Sequence, residues 1–157
     1  MSISAMSSTL VDLLRERASA NADRTAFCDL RDGERDVRAV TYAELDRSAR
    51  AGAVALRAVT SKGARVIITS ADPLAFVQTF FGALYAGLLP VPAAPPISPA
   101  AVNRLIGQVR DSEASVLLLS AAEHSALARR EISDIRSLRV LSSEEIAQSD
   151  ASADEWT

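Results

Sequence analysis

The stretch 72-DPLAFVQTFFGALYAGLLPVPAAPP-96 decides how the chain is read. Leu74 to Leu89 pass sixteen residues without a formal charge, and five prolines then fall between positions 90 and 99. As a helix the apolar run rises about 24 Å, short of the roughly 30 Å hydrocarbon core of a bilayer. Its ends are those of a helix in a globular domain. Asp72 serves as N-cap with Pro73 at the first helical position, and Gly87 stands as the stop before Pro90 and Pro92. No membrane span is therefore expected. Leu74, Ala75, Phe76, Val77, Phe80, Phe81, Ala83 and Leu84 cover nearly every face, so the helix is expected to be buried on most sides. It leads into a short strand, Leu88 to Val91, and then into a stiff proline loop.

The alternation of capped helices and short strands extends both ways. Upstream, Thr9-Leu-Val-Asp12 resembles a capping box and opens a helix to about Ala20. Thr25 to Arg31 and Asp36 to Val40 alternate as strands of a hairpin turning through Asp32-Gly33. Thr41-Tyr-Ala-Glu44 is a second capping box, and its helix runs to about Val59 with Leu45, Ala49, Gly52, Ala53 and Leu56 inward. Arg65 to Ser70 is a β-branched strand. Downstream, Ser98-Pro99 caps a helix to about Ser112, with Val102, Leu105, Ile106 and Val109 on one face. Val116 to Leu119 is a strand, Ser120-Ala-Ala-Glu123 a third capping box, and Leu138 to Leu141 a last strand before a short helix from Ser143. Apolar, unpatterned strands between capped helices predict an α/β fold: a mostly parallel sheet with helices on both faces, plus an N-terminal helix and β-hairpin. Residues 1–147 form this lobe. The polar, acidic stretch 148–157, with its isolated Trp156, reads as a linker tail.

Composition narrows the function classes. At 157 residues, 48% hydrophobic and 24% charged, the chain has the length and balance of one globular domain. A net charge of -3, with basic residues dispersed along the chain, gives no footprint for nucleic acid. Cys28 is the only cysteine, which excludes an intrachain disulfide and a multi-cysteine zinc site. The N-terminal MSISAMSSTL has neither a basic segment nor an apolar core, so a cytoplasmic location is expected.

Candidate chemistry is sparse. Neither G-x-G-x-x-G nor G-x-x-x-x-G-K-[ST] occurs, and the six glycines never cluster into a phosphate cradle. His124, the single histidine, reads as a surface or cap residue rather than a general base, because no serine or cysteine nucleophile stands in a motif to pair with it. Cys28 reads as a small buried hydrophobe rather than a reactive thiol. Ligands of parallel sheets bind outside the carboxyl ends of the strands, here Ser70 to Asp72, Ala93 to Ser98, and Ser120. Asp72 would repel an anion from its helix, and Ser98 and Ser120 read as caps. The loop Pro92 to Pro99 reads as a rigid connection rather than a polyproline ligand. No catalytic, cofactor-binding or metal-ligating residue is assigned, and the substrate-binding residues stay unknown.

Two segments resemble known motifs. Val40-Thr-Tyr-Ala-Glu-Leu45 resembles the first core motif of the adenylate-forming enzymes, [LV]-[TS]-Y-x-E-L. Gly82-Ala-Leu-Tyr-Ala-Gly-Leu-Leu-Pro-Val-Pro92 resembles the second, a small-residue helix end followed by a strand ending in proline. Pro92-Ala-Ala-Pro-Pro96, Arg104-Leu105 and Asp111-Ser-Glu-Ala114 are more similar to the fatty acyl-AMP ligase branch than to the acyl-CoA synthetase branch. The resemblance implies activation of a fatty acid by ATP, with Mg2+, to an acyl-adenylate. The acyl group then passes to an acyl carrier protein or polyketide synthase. It also implies that the phosphate loop, the nucleotide contacts and the catalytic lysine lie outside these residues, so that the chain is an N-terminal piece, inactive alone. An acyl-CoA synthetase or amino-acid adenylation fragment, a non-catalytic binding module, and an unrelated flavodoxin-like domain stay open.

Overall fold

The computed structural model describes residues 9–31, 33, 37–128, 135, 137–147 and 152–157. Helix α1 (Leu10–Ala20) starts where the Thr9 side chain accepts from the Asp12 amide. Strands β1 (Thr25–Leu30) and β2 (Val37–Thr41) pair antiparallel. Their register ends at Leu30 opposite Val37, so the connection is longer than the expected two-residue turn. Asp32 lies outside the described residues, and Gly33 has a φ of +75°. Thr41 and Glu44 close the expected reciprocal capping box on α2 (Tyr42–Arg57). All five residues expected on its inner face are buried.

The sheet is built from β3 (Arg65–Ile68), β4 (Leu89–Pro92), β5 (Val116–Leu119) and β6 (Arg139–Ser142). Its order is β4-β3-β5-β6, with every pair parallel. Between the strands run α3 (Pro73–Tyr85), α4 (Pro99–Ser112) and α5 (Ala121–Ala128), and α6 (Ser143–Ala147) follows β6. Side chains alternate across the pleat, so Val66, Ile68, Val116 and Leu118 pack with α1, α2, α3 and α6. Ile67, Leu117 and Leu119 face the other way, against Val102, Leu105 and Val109 of α4 and Leu127 of α5. The expected α/β architecture is therefore the observed one: a parallel sheet covered on both faces, with a helix and hairpin at its start.

Helix α3 sits tightly on α2. A Cβ on Gly82 would lie 3.6 Å from the Gly52 Cα, so the two backbones cross at a glycine pair. At its end Gly87 takes a φ of +76°, while the Leu88 amide donates to Ala83 O and the Gly87 amide to Leu84 O. This left-handed cap turns the chain into β4. Strand β4 lies at the edge and carries Pro90 and Pro92 at the positions between those bonded to β3. The amides of Leu89 and Ala93 donate inward to Ala64 O and Ile68 O. The prolines therefore present no N–H to the open side.

Three expectations need correction. Helix α3 is buried at Thr79, Gly82, Ala83 and Tyr85, but Phe76, Phe80 and Phe81 are only half-buried. Phe76 and Phe80 stack with centroids 6.0 Å apart, and Phe81 meets Phe80 edge-on at 6.1 Å. Cys28 is exposed, since β1 belongs to a two-stranded ribbon with one covered face and Cys28 points off the other. Trp156 is not isolated. Its Nε1 donates to Tyr85 O at 2.9 Å, and its ring meets Tyr85 at 4.9 Å. The guanidiniums of Arg15, Arg50 and Arg57 stand 5.2–5.8 Å from it. Of the tail expected as a linker, Ser152 to Thr157 thus lies against α1, α2 and α3, held by cation–π and aromatic contact. Tyr85 in turn donates its hydroxyl to Asp46 at 2.6 Å. Burial, then that bond, pushes the phenol above its ordinary range.

Candidate functional site at the carboxyl edge of the sheet

Loops after β3, β4 and β5 meet at one edge, and the helices that follow start there. Their caps are local chemistry. Asp72 Oδ1 accepts from the Leu74 and Ala75 amides at 3.0 and 3.2 Å. Ser98 Oγ accepts from the Ala101 amide at 3.2 Å. Ser120 Oγ accepts from the Glu123 amide, and Glu123 Oε2 accepts from the Ser120 amide at 2.8 Å. Each segment thereby satisfies amides that a helix start leaves open.

Around Asp72 the hairpin adds a clasp. Arg38 of β2 donates from Nη2 to Oδ1 and from Nη1 to Oδ2, both at 2.9 Å, and also reaches Asp29 Oδ2 of β1 at 2.7 Å. Arg31 adds a longer bond to Asp72 at 3.3 Å. The two-pronged Arg38 contact holds the Asp72 carboxyl down to about 2, from an ordinary 3.8, with the α3 amides contributing. Arg38 likewise lowers Asp29. The carboxylate expected to repel anions is thus a joint between hairpin and sheet. Its charge is matched from inside the chain.

Glu123 differs. The residue is 5% exposed, and its Oε2 accepts from the Thr69 hydroxyl at 2.8 Å as well as from Ser120. Thr69, at the end of β3, is fully buried. Oε1 is buried without a hydrogen-bond partner among the described residues. Sequence reasoning took Glu123 for a cap and missed its burial. The available signal was that two apolar runs, Val66 to Ile68 and Val116 to Leu119, lead into Thr69 and into Ser120-x-x-Glu123.

The remaining candidates stay apart. His124 is exposed on the first turn of α5. Cys28 lies on the outer ribbon, and no group of three or more His, Cys, Asp or Glu side chains converges as a metal centre among the described residues. No described helix is long and apolar enough to cross a membrane. The first motif, Val40 to Leu45, forms the end of β2 and the capped start of α2. The second, Gly82 to Pro92, forms the end of α3, its left-handed cap and β4. Both are structural parts.

The chain belongs to the AMP-binding enzyme family, whose profile matches residues 14–157. Membership removes the reading of the motifs as coincidence in an unrelated flavodoxin-like domain. Among curated relatives, the medium-chain-fatty-acid–[acyl-carrier-protein] ligase JamA of Moorena producens is 36% identical over 124 residues, 76% of this chain and 21% of JamA. The long-chain-fatty-acid–AMP ligase FadD23 of Mycobacterium tuberculosis is 30% identical over 120 residues, 74% of this chain and 20% of FadD23. The solved fatty acid AMP ligase from Legionella pneumophila superposes with a TM-score of 0.79 at 27% identity, over 95% of this chain and 25% of its own. An adenylation domain of a keto acid-selecting NRPS module gives 0.72 at 25% identity, over 95% of this chain and 28% of its own. The chain spans about a fifth of the length of these curated relatives.

Proposed function

We propose that this chain is the N-terminal lobe of a fatty acyl-AMP ligase. The whole enzyme would join a fatty acid carboxylate to the α-phosphate of ATP, releasing pyrophosphate. The acyl group of the adenylate would then pass to the phosphopantetheine thiol of an acyl carrier protein or polyketide synthase, releasing AMP. The similarity to JamA over three-quarters of the chain carries this reading. In this reading the protein is cytoplasmic, with residues 1–147 as the lobe and 148–157 as a tail.

ATP and Mg2+ belong, in this reading, to the part of the family's length that this chain does not span. A triphosphate needs free cations or a nest of amides. Arg38 and Arg31 are engaged by carboxylates, and Asp72 already occupies the start of α3. These groups do not fit a triphosphate, and no catalytic, cofactor-binding or metal-ligating role is assigned to them. Their part is to brace the lobe.

Pyrophosphate release tests the reading. The 157-residue chain with ATP, Mg2+ and decanoate should show no turnover, and turnover would overturn the assignment. The reading frame extended to the relatives' length should release pyrophosphate with fatty acids and load a carrier protein in preference to CoA. Loading of CoA would assign the acyl-CoA synthetase branch. Activation of keto or amino acids in place of fatty acids would assign an adenylation domain like the structural neighbour.

A further inference from the structure

Helices α1 and α2 pack against each other, and the short turn Ala153–Glu155 packs on α2. Between the three lies an open cleft of about 350 Å3, within the range of small-molecule sites. Arg15 and Ser19 line it from α1, Asp46, Arg47 and Arg50 from α2, and Asp154 from the turn, with alanines between them. Three guanidinium-bearing side chains therefore stand at the cleft against two carboxylates.

The balance is less even than that count. Asp46 is engaged within the protein: Oδ2 accepts from Arg50 Nε at 2.8 Å, and Oδ1 from the Tyr85 hydroxyl at 2.6 Å. Its side chain is only 13% exposed. Arg50 and Asp46 cancel, which leaves Arg15 and Arg47 against Asp154 alone. Both of these arginines are exposed. Neither has a hydrogen-bond or ion-pair acceptor among the described residues. Arg15 stands over the Trp156 ring at 5.4 Å, and Arg47 acts on Glu44 through space.

Unmatched arginines beside a cleft suit an oxyanion, since the planar guanidinium fork fits the paired oxygens of a phosphate. Their positions are partly set in advance. The Trp156 ring restrains Arg15 and Arg50 by cation–π contact, at 5.4 and 5.2 Å. Arg47 and Arg50 are three residues apart on α2 and so share a face. A dianion can engage one guanidinium from each helix, which favours a phosphate over a carboxylate.

We propose that this cleft binds a phosphate dianion, clamped between Arg15 of α1 and Arg47 of α2, with Ser19 donating its hydroxyl. Asp154 is the opposing charge, so the bound anion and this carboxylate compete for the same two arginines. The inference does not rest on the fatty acyl-AMP ligase reading.

Trp156 is the only tryptophan of the chain and lies beside Arg15, so its fluorescence reports on the cleft. The 157-residue chain is titrated with methyl phosphate and with inorganic phosphate at low ionic strength and about pH 8, where the dianion predominates. Trp156 emission and the amide chemical shifts of Ser19 and Arg47 are followed. A saturable response to either phosphate is the expected result. Tighter binding of methyl phosphate assigns a phosphomonoester as the occupant, and equal or tighter binding of inorganic phosphate assigns the free ion. Arg47→Ala, at an exposed helix position, should weaken binding about tenfold. Asp154→Asn should strengthen it about threefold, and carries the test if the alanine variant fails to fold. Methyl sulfate, of similar shape but one charge, should bind at least about fivefold more weakly. Absence of a saturable response to both phosphates overturns the proposal. So does equal affinity for methyl sulfate, or an affinity that either folded variant leaves unchanged.

Discussion

Two carboxylates close helix starts at the same edge of the sheet, and they are satisfied in opposite ways. Asp72 caps α3 and is one-third exposed at the side chain, yet it has a two-pronged guanidinium, a second arginine and two amides. Glu123 caps α5 and is nearly sealed, yet it has only a hydroxyl and an amide, both on one oxygen. Burial alone would predict the reverse, since an unmatched charge costs more where water is excluded. The exposed pair makes sense as a joint: it ties the ribbon of β1 and β2 to a helix of another layer. The buried one makes sense as a floor that holds β3 and α5 together and leaves one acceptor over.

The comparison can be broken first at the floor. Glu123→Ala removes the cap of α5 and the partner of a buried hydroxyl, and should cost about 3 kcal/mol in urea unfolding. A cost below about 1 kcal/mol would mean that the carboxylate is not integrated as described. Next, Arg38→Ala leaves Asp29 and Asp72 without their shared cation and should lower the urea midpoint by less than Glu123→Ala does. That penalty should shrink by about half in roughly 1 M salt, whereas the Glu123 penalty should not move. Equal salt response in both variants would erase the distinction.

Acid sharpens the contrast further. Asp72 titrates near 2 in the folded chain against an ordinary 3.8, so its support is complete above about pH 4 and is lost as pH falls toward 2. With screening counted, this limb should be worth about 1 kcal/mol, and it should flatten in Arg38→Ala. Smallest is Arg31→Ala. That side chain is 51% exposed and its bonds are 3.3 and 3.4 Å, so the change should stay under about 0.5 kcal/mol. A larger loss would make Arg31 rather than Arg38 the clasp.

The caps were legible because each is written within four residues. Asp72-Pro73, Thr41 to Glu44, Ser98-Pro99 and Ser120 to Glu123 all sit where local spacing put them. The joints were not, because the partners are far apart in the chain: Arg38 and Asp72 by 34 residues, Thr69 and Glu123 by 54, Tyr85 and Trp156 by 71. Periodicity says which face is apolar but not which polar group waits opposite. The half-buried phenylalanines of α3 escaped for a related reason. A helix apolar all round declares that it wants covering, not that the cover lies within the same 157 residues.

The prolines of β4 have one more effect. A strand approaching that margin would meet carbonyls but, at Pro90 and Pro92, no hydrogen to bond its own. At the margin of β6 the Arg139 amide is spent inward on Ser115 O, and the alternate amides, Val140 and Ser142, point outward and can donate. The sheet therefore has a direction of growth: it is terminated at β4, and any strand added to it, from the same polypeptide or another, belongs beside β6.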